Sequence, residues 1–345
     1  MSGTESLSET LGFPDPLISA NLYASGRLDR AIDRFAVPFW RAAEARGLNR
    51  SCYIWILRYA RCGEHLKLRL HGPESLRASL EALLAETLAL YLAGRDPGDE
   101  PLPGPQRAKP APPLDLEDEA TEDYPDGIFL HTLYRRSPVV LGAAPLLRDN
   151  RYTALFTSCL GRACNLVLRS FELAETGRMI HRRRQALLLK ILTAGLSATF
   201  PESEELTGYI AYHRDWLVRA PVLFLRGRMA KAQQILGRYN DERTRLDSSS
   251  LETLRDLLRG QEPTDIHEEE WRQSLVALRL YLQEIQGLDP DPFVPGPLYP
   301  SLFKVFHCVA NQLGINPLNE GFAWHLLLNI VRGDGAEDGF RLVPL

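Results

Sequence analysis

The sequence predicts an α+β protein: an antiparallel β-sheet with packed helices, mainly helical over its C-terminal two thirds. Three observations predict it. The stretch "YIWILRYARCGEHLKLRLHG", residues 53–72, alternates apolar and polar residues in two runs around a Cys-Gly break, the pattern of two paired strands. From residue 152 onward the apolar residues recur at helical spacing in one segment after another. The strands come early and the helices late, without the strand-helix alternation of a parallel sheet.

The elements follow in order. "RLDRAIDRFAVPFWRAAEAR", 27–46, reads as a helix interrupted near Pro38, because proline cannot donate to the preceding turn. The 53–72 pair comes next. "SLRASLEALLAETLALYL", 75–92, has a strong helical period and few breakers. Residues 94–127 are rich in Pro, Gly and acids and predict an exposed loop, a connector or a lid. "IFLHTLYRRSPVVL", 128–141, reads as a strand. Helices are expected over 152–173 and 181–199, the latter opening on the basic run "HRRRQ", 181–185. "YIAYHRD", 209–215, begins a further expected helix continuing through 216–236, and others are expected at 249–259 and 268–286. The proline-rich "DPDPFVPGPLYPS", 289–301, predicts a loop. Two last helices are expected at 301–313 and 320–331. The whole chain, 1–345, is expected to form a single domain with a flexible loop at 94–127.

Composition narrows the function classes. With 45% hydrophobic and 24% charged residues the chain has ordinary globular composition. A net charge of -4 gives no support to nucleic-acid binding. No run of about 18 apolar residues is present to span a membrane, and the polar "MSGTESLSETLGFPDP" has no signal-peptide core, so a cytoplasmic protein is expected. The five cysteines are odd in number and lack CxxC spacing, which fits reduced thiols. There is no P-loop, GxGxxG, HExxH or GxSxG, and no His, Cys and carboxylate grouping with metal spacing. No cofactor and no metal are therefore expected.

Three places hold polar residues suited to chemistry. In the second strand His65, Lys67 and Arg69 share one face, opposite Leu66, Leu68 and Leu70. That row suits an anion or a peptide carbonyl; a half-solvated sheet face would show the same pattern. "TLYRRSPVVLG", 132–142, offers Tyr134, Arg135, Arg136 and Ser137. In "LYPSLFKVFHCVANQLG", 298–314, Lys304, His307 and Asn311 fall on one helix face. Asn311 could orient the His307 imidazole for proton transfer, or His307 could be a hydrogen-bonded core residue.

At these places the sequence resembles a family. "WILRYARCGEHLKLRL" resembles the "RY…HLRLR" strand of lantibiotic-dehydratase glutamate-elimination domains and their stand-alone relatives. "SLFKVFHCVANQLG" resembles the late "HxxxNRLG" helix of that superfamily, here His307, Asn311, Gln312, Leu313 and Gly314, with an acid following at Glu320. The resemblance runs from about residue 28 to 332. It departs at Lys67 and Gln312, each in place of an Arg, and no "RYGG" stands in the middle segment. The middle segment, the size and the free-standing chain resemble the thiopeptide pyridine synthases. Such enzymes join two dehydroalanines of an azole-bearing linear precursor by a formal aza-[4+2] cycloaddition, then expel water and the leader peptide to leave a pyridine.

The resemblance implies a cofactor-independent cyclase and lyase of antibiotic biosynthesis whose partner is a precursor peptide with its leader. It implies no nucleic acid and no membrane, and it leaves a homodimer open. It implies proton chemistry at His307, Ser301 and Tyr299, with Ser301 and His307 as a hydrogen-bonding pair. Lys67, Arg69, His65, Tyr134, Arg135, Ser137, Asn311 and Gln312 would hold the peptide, and basic residues at 134–136 and 181–184 would suit an acidic leader. Glutamate elimination and a non-catalytic leader-binding subunit remain as alternatives.

Overall fold

A computed structural model describes residues 17–24, 27–59, 64–94, 106–107, 127–130, 149–173, 181–219, 228–243, 248–259, 263, 265–288 and 296–332. The fold is α+β. The described residues cluster into two compact units, one drawn from 1–184 with 264–314 and the other from 185–263 with 315–345.

The first unit holds the sheet. Its strands are β1 (Ile18–Tyr23), β2 (Tyr53–Tyr59), β3 (His65–His71), β4 (Gln106–Arg107) and β5 (Gly127–Leu130). They lie in the order β2-β3-β1-β5-β4, antiparallel except for the β4–β5 pair. The 53–72 hairpin forms with Tyr53 opposite His71 and Tyr59 opposite His65. Strand β1 is not foreseen by the periodicity. All six of its residues are buried, so the apolar-polar alternation that reveals a half-buried strand is missing. Strand β4 falls inside the stretch expected to be a loop throughout. Of the strand expected over 128–141, the first residues belong to β5, and 131–141 lie outside the described residues.

The interruption near Pro38 takes a specific form. Helix α1 (Leu28–Ala31) passes through a π turn (Ile32–Ala36) into α2 (Val37–Ala45), with Pro38 in the first turn of α2. The wider turn absorbs the hydrogen bond that the proline ring cannot make. Helix α3 (Arg77–Ala93) buries Leu80, Leu83, Leu84, Thr87, Leu88 and Tyr91, one stripe at helical spacing. Helix α4 (Asn150–Glu172) is buried on nearly every side. Helices α5 (His181–Thr199), α9 (Ile266–Leu288) and α10 (Leu298–Leu313) contribute to this unit, α5 only through its first turn. Helix α10 starts three residues earlier than expected, because Pro300 sits in its first turn, where no backbone N–H is needed.

Helices α4 and α10 cover the outer edge of β2. Gly161 lets α4 approach closely, since a Cβ there would stand 2.8 Å from that of Tyr53. The Cys164 thiol meets the backbone of Ile56. The Asn311 side chain completes the cover: its Oδ1 accepts from the Arg58 N–H and its Nδ2 donates to the Arg58 carbonyl, both at 2.8 Å. An edge strand left open invites pairing with another chain; here an asparagine amide takes the place of the next strand.

The second unit, among the described residues, is helical: the rest of α5, then α6 (Ser203–Arg219), α7 (Arg228–Arg243), α8 (Ser248–Leu258) and α11 (Pro317–Arg332). The helix expected from residue 209 through 236 is two helices, α6 beginning earlier with Glu204 and Glu205 in its first turn, where they favour the helix dipole. Helices α6 and α11 pack through His213, which stacks on Trp324 at 3.7 Å, and Tyr209 meets both rings edge-on. His213 Nε2 lies 3.3 Å from Glu320 Oε1, and both side chains are fully buried. No described helix is long and apolar enough to cross a membrane.

Candidate active site

The expected site residues fall into separate groups within the first unit. The row on β3 forms as expected. His65, Lys67 and Arg69 share one face with Tyr23, Asn21 and Ser19 of β1 opposite them. The face is not half-solvated, however: His65, Arg69, Asn21 and Ser19 are buried, and Lys67 is half-buried. The Arg69 guanidinium lies along the sheet, its Nη1 donating to the carbonyls of Ala20 and Leu68 and to Asn21 Oδ1 at 3.0–3.1 Å. Those bonds orient the guanidinium along the sheet. Tyr134, Arg135 and Ser137 lie outside the described residues.

On α10 the expected stripe is present and the expected pairings are not. Lys304, His307 and Asn311 are half-buried along one face, with His307 stacked on Phe303. Asn311 commits its amide to the β2 backbone, so it docks the helix rather than orienting His307. Ser301 points about 120° around the helix from His307, because six residues at 100° each bring it there. Its partner is instead Tyr152 of α4, whose Oη donates to Ser301 Oγ at 2.9 Å. Gln312 shares the buried face of α10. Its side chain is fully buried, and among the described residues neither amide atom has a partner.

The expected cation cluster at 181–184 is also reassigned in part. Arg184 is buried and paired with Asp29, which also meets Arg58 at 2.6 Å. Both guanidiniums stand over the Phe171 ring. Arg183 is exposed, and the side chains at 181 and 182 lie outside the described residues.

Around Ser301 the helices build something the periodicity does not reveal. Asp149 caps α4, its Oδ1 accepting from the N–H groups of Arg151 at 2.9 Å and Tyr152 at 3.1 Å. Its Oδ2 accepts from Tyr281 Oη of α9. The Arg151 guanidinium lies 4.6 Å from the centre of the Tyr281 ring. Burial, and then the Asp149 carboxylate, push the Tyr281 phenol up to about 12. Burial likewise pushes Tyr152 above the ordinary phenol range, against the pull of its bond to Ser301. Both phenols stay protonated and donate.

Helices α4 and α10 run in the same direction here. They meet at Tyr152 and Ser301 near their starts, and both reach Arg58 near their ends, through Phe171 and Asn311. Two parallel helices bring two positive dipole ends together. Asp149 offsets the end of α4, whereas α10 has no acid in its first turn. Ser301, with Tyr299 half-buried two residues before it, sits in that electron-poor corner. A hydroxyl placed there suits developing negative charge on an oxygen. The sequence carries one signal for this corner: Asp149 before the apolar run is a helix start.

No family model matches the chain, and no curated protein matches it. Among solved structures, the pyridine synthase TbtD from thiomuracin biosynthesis superposes with a TM-score of 0.59 at 15% identity, covering 91% of this chain and 97% of its own. The chain shares its fold. TsrL superposes at 0.51 with 14% identity over 90% of this chain and 93% of its own. The tRNA-dependent lantibiotic dehydratase MibB from Microbispora sp. 107891 gives 0.48 at 13% identity, over 91% of this chain and 28% of its own. At such identities the fold is shared while most side chains differ.

Proposed function

We propose that this protein is a thiopeptide pyridine synthase. The observation that carries the reading is the hydroxyl pair Tyr152–Ser301 at two converging helix starts, on a fold shared with TbtD over nearly the whole of both chains. The substrate is a dehydrated, azole-bearing precursor peptide with its leader. One dehydroalanine and its preceding amide, as the iminol, form an azadiene; a second dehydroalanine supplies the alkene. Two carbon-carbon bonds close the six-membered ring. Water then leaves from the former amide carbon and the leader leaves as a carboxamide, so the product is the substrate less those two molecules.

Most of the rate enhancement comes from bringing two alkenes of one flexible chain together, which removes an entropy barrier. The remaining task is proton movement at oxygen. The Ser301 hydroxyl, its lone pair held by Tyr152, donates toward the amide oxygen as it becomes an iminol and later a leaving hydroxyl. Tyr299 and His307 are the further proton carriers. On β3 the half-buried Lys67 is placed to steady a peptide carbonyl, with the buried His65 and Arg69 holding its strand.

The test is mass spectrometry of the purified chain mixed with the dehydrated precursor. The expected product is a macrocycle lighter by water and the leader, with leader carboxamide released. Release of glutamate from a glutamylated precursor instead would move the assignment to elimination. Leader binding with both substrates unchanged would leave a presenting subunit.

A further inference from the structure

We infer that Tyr152 is a positioning residue that acts through Ser301, at the end of a hydrogen-bonded relay running from Tyr281 through Asp149. The inference rests on the pyridine-synthase reading and deepens it by assigning how that site is held.

Three facts build the relay. Tyr152 and Ser301 are both fully buried, and the phenol donates to the serine oxygen at 2.9 Å. Burial keeps the phenol protonated, and in this arrangement it is the donor to Ser301 Oγ. With one lone pair occupied, Ser301 turns its own proton elsewhere. No acceptor for that proton occurs among the described residues.

Asp149 fixes the other end. One carboxylate oxygen takes the backbone N–H groups of Arg151 and Tyr152, which sets where the Tyr152 backbone enters α4. The other takes the Tyr281 hydroxyl, which ties the helix start to α9. Arg151, from the same turn, lies over the Tyr281 ring and holds it from its face. None of these groups needs to touch a peptide for the relay to work. Tyr281 and the helix cap place Asp149, Asp149 places the Tyr152 backbone, and the Tyr152 phenol restricts the Ser301 hydroxyl. A hydroxyl free to rotate spends most of its time misaligned; one fixed in advance stabilises the transition state without reorganising.

The experiment is a double-mutant cycle on macrocycle formation with the dehydrated precursor, with folding of each variant checked by circular dichroism. Tyr152→Phe removes one oxygen and keeps the ring that packs beside Phe156. The expected result is kcat lowered by about 10- to 100-fold with KM unchanged, as for a group that acts only in the transition state. Ser301→Ala lowers kcat at least as far. Tyr152→Phe combined with Ser301→Ala is no slower than Ser301→Ala alone, because Tyr152 acts on the reaction through the Ser301 hydroxyl. Tyr281→Phe, farther along, lowers kcat by a smaller factor. A Tyr152→Phe variant as fast as the parent overturns the inference, as do effects that multiply. Should Tyr152→Phe fail to fold, the Tyr281→Phe and Ser301→Ala cycle decides in the same way. A parent chain inactive on the precursor overturns the functional reading itself, and the inference with it.

Discussion

At the scale of single residues, charge and burial make two sharp statements. Burial pushes the thiols of Cys52, Cys159 and Cys164 up to about 12, so at neutral pH they are neither nucleophiles nor redox partners. Iodoacetamide at pH 8 should leave these three unmodified in the folded chain and alkylate them only in denaturant; peptide mass spectrometry reads this directly. Burial alone would raise the Asp29 carboxyl, but Arg184 and Arg58 outweigh it and hold the group below its ordinary value. A depressed carboxyl contributes stability above its unfolded value, and that contribution is lost as pH falls through the folded value. Urea midpoints of the parent and Asp29→Asn should therefore differ at neutral pH and converge below roughly pH 4. Residue identity is legible in the sequence; residue partnership is not. His307 and Asn311 lie on one helix face as expected, yet Asn311 bonds to Arg58, 253 positions away. Ser301 finds its partner 149 positions away in Tyr152. Periodicity reports which way a side chain faces, never what it meets there.

At the scale of elements, helices were legible because an amphipathic stripe repeats many times within one segment, as in α3. Strand β1 was not, since six residues buried on both faces carry no alternation to read. Within the motif from His307 to Gly314, Asn311 and Gly314 dock the helix against Arg58. Gly314 ends α10 at φ +71, and a Cβ there would stand 2.9 Å from both Arg184 Nη1 and Arg58 Cζ. Gly314→Ala should cost about 1–3 kcal/mol, combining the left-handed backbone with the displaced guanidiniums. Asn311→Ala leaves a backbone N–H and carbonyl of β2 without their partner and should cost a further roughly 1–3 kcal/mol. Both are measurable by urea unfolding. In the second unit the His213–Glu320 contact is fully buried. Glu320→Gln should destabilise that unit by about 3 kcal/mol, seen as early loss of amide protection in α6 and α11.

At the scale of the whole molecule, composition and element order were enough for the fold class, and the two motifs in order were enough to point to the fold later found in TbtD. They could not supply the division into two units, because the second unit is assembled from stretches on either side of 264–314. Nor could they supply the corner at Ser301, which exists only where α4, α9 and α10 meet. The prediction at this scale is chemical. The chain alone, with the dehydrated precursor and no added protein, should give the macrocycle, and Ser301→Ala should slow it by about 100-fold or more without weakening peptide binding. Isothermal titration with the precursor separates the two effects.

The asparagine cover on β2 has a consequence for how the protein is made. Arg58 is synthesised 253 residues before the side chain that caps it. At about 5–20 residues per second, the ribosome leaves this edge uncapped by Asn311 for roughly ten to fifty seconds. During that interval the apolar hairpin, with Ile54, Trp55, Ile56 and Leu57, is a template for any other extended chain nearby. The yield of native protein should therefore rise when chaperones cover the nascent hairpin and fall when translation is slowed between Arg58 and Asn311.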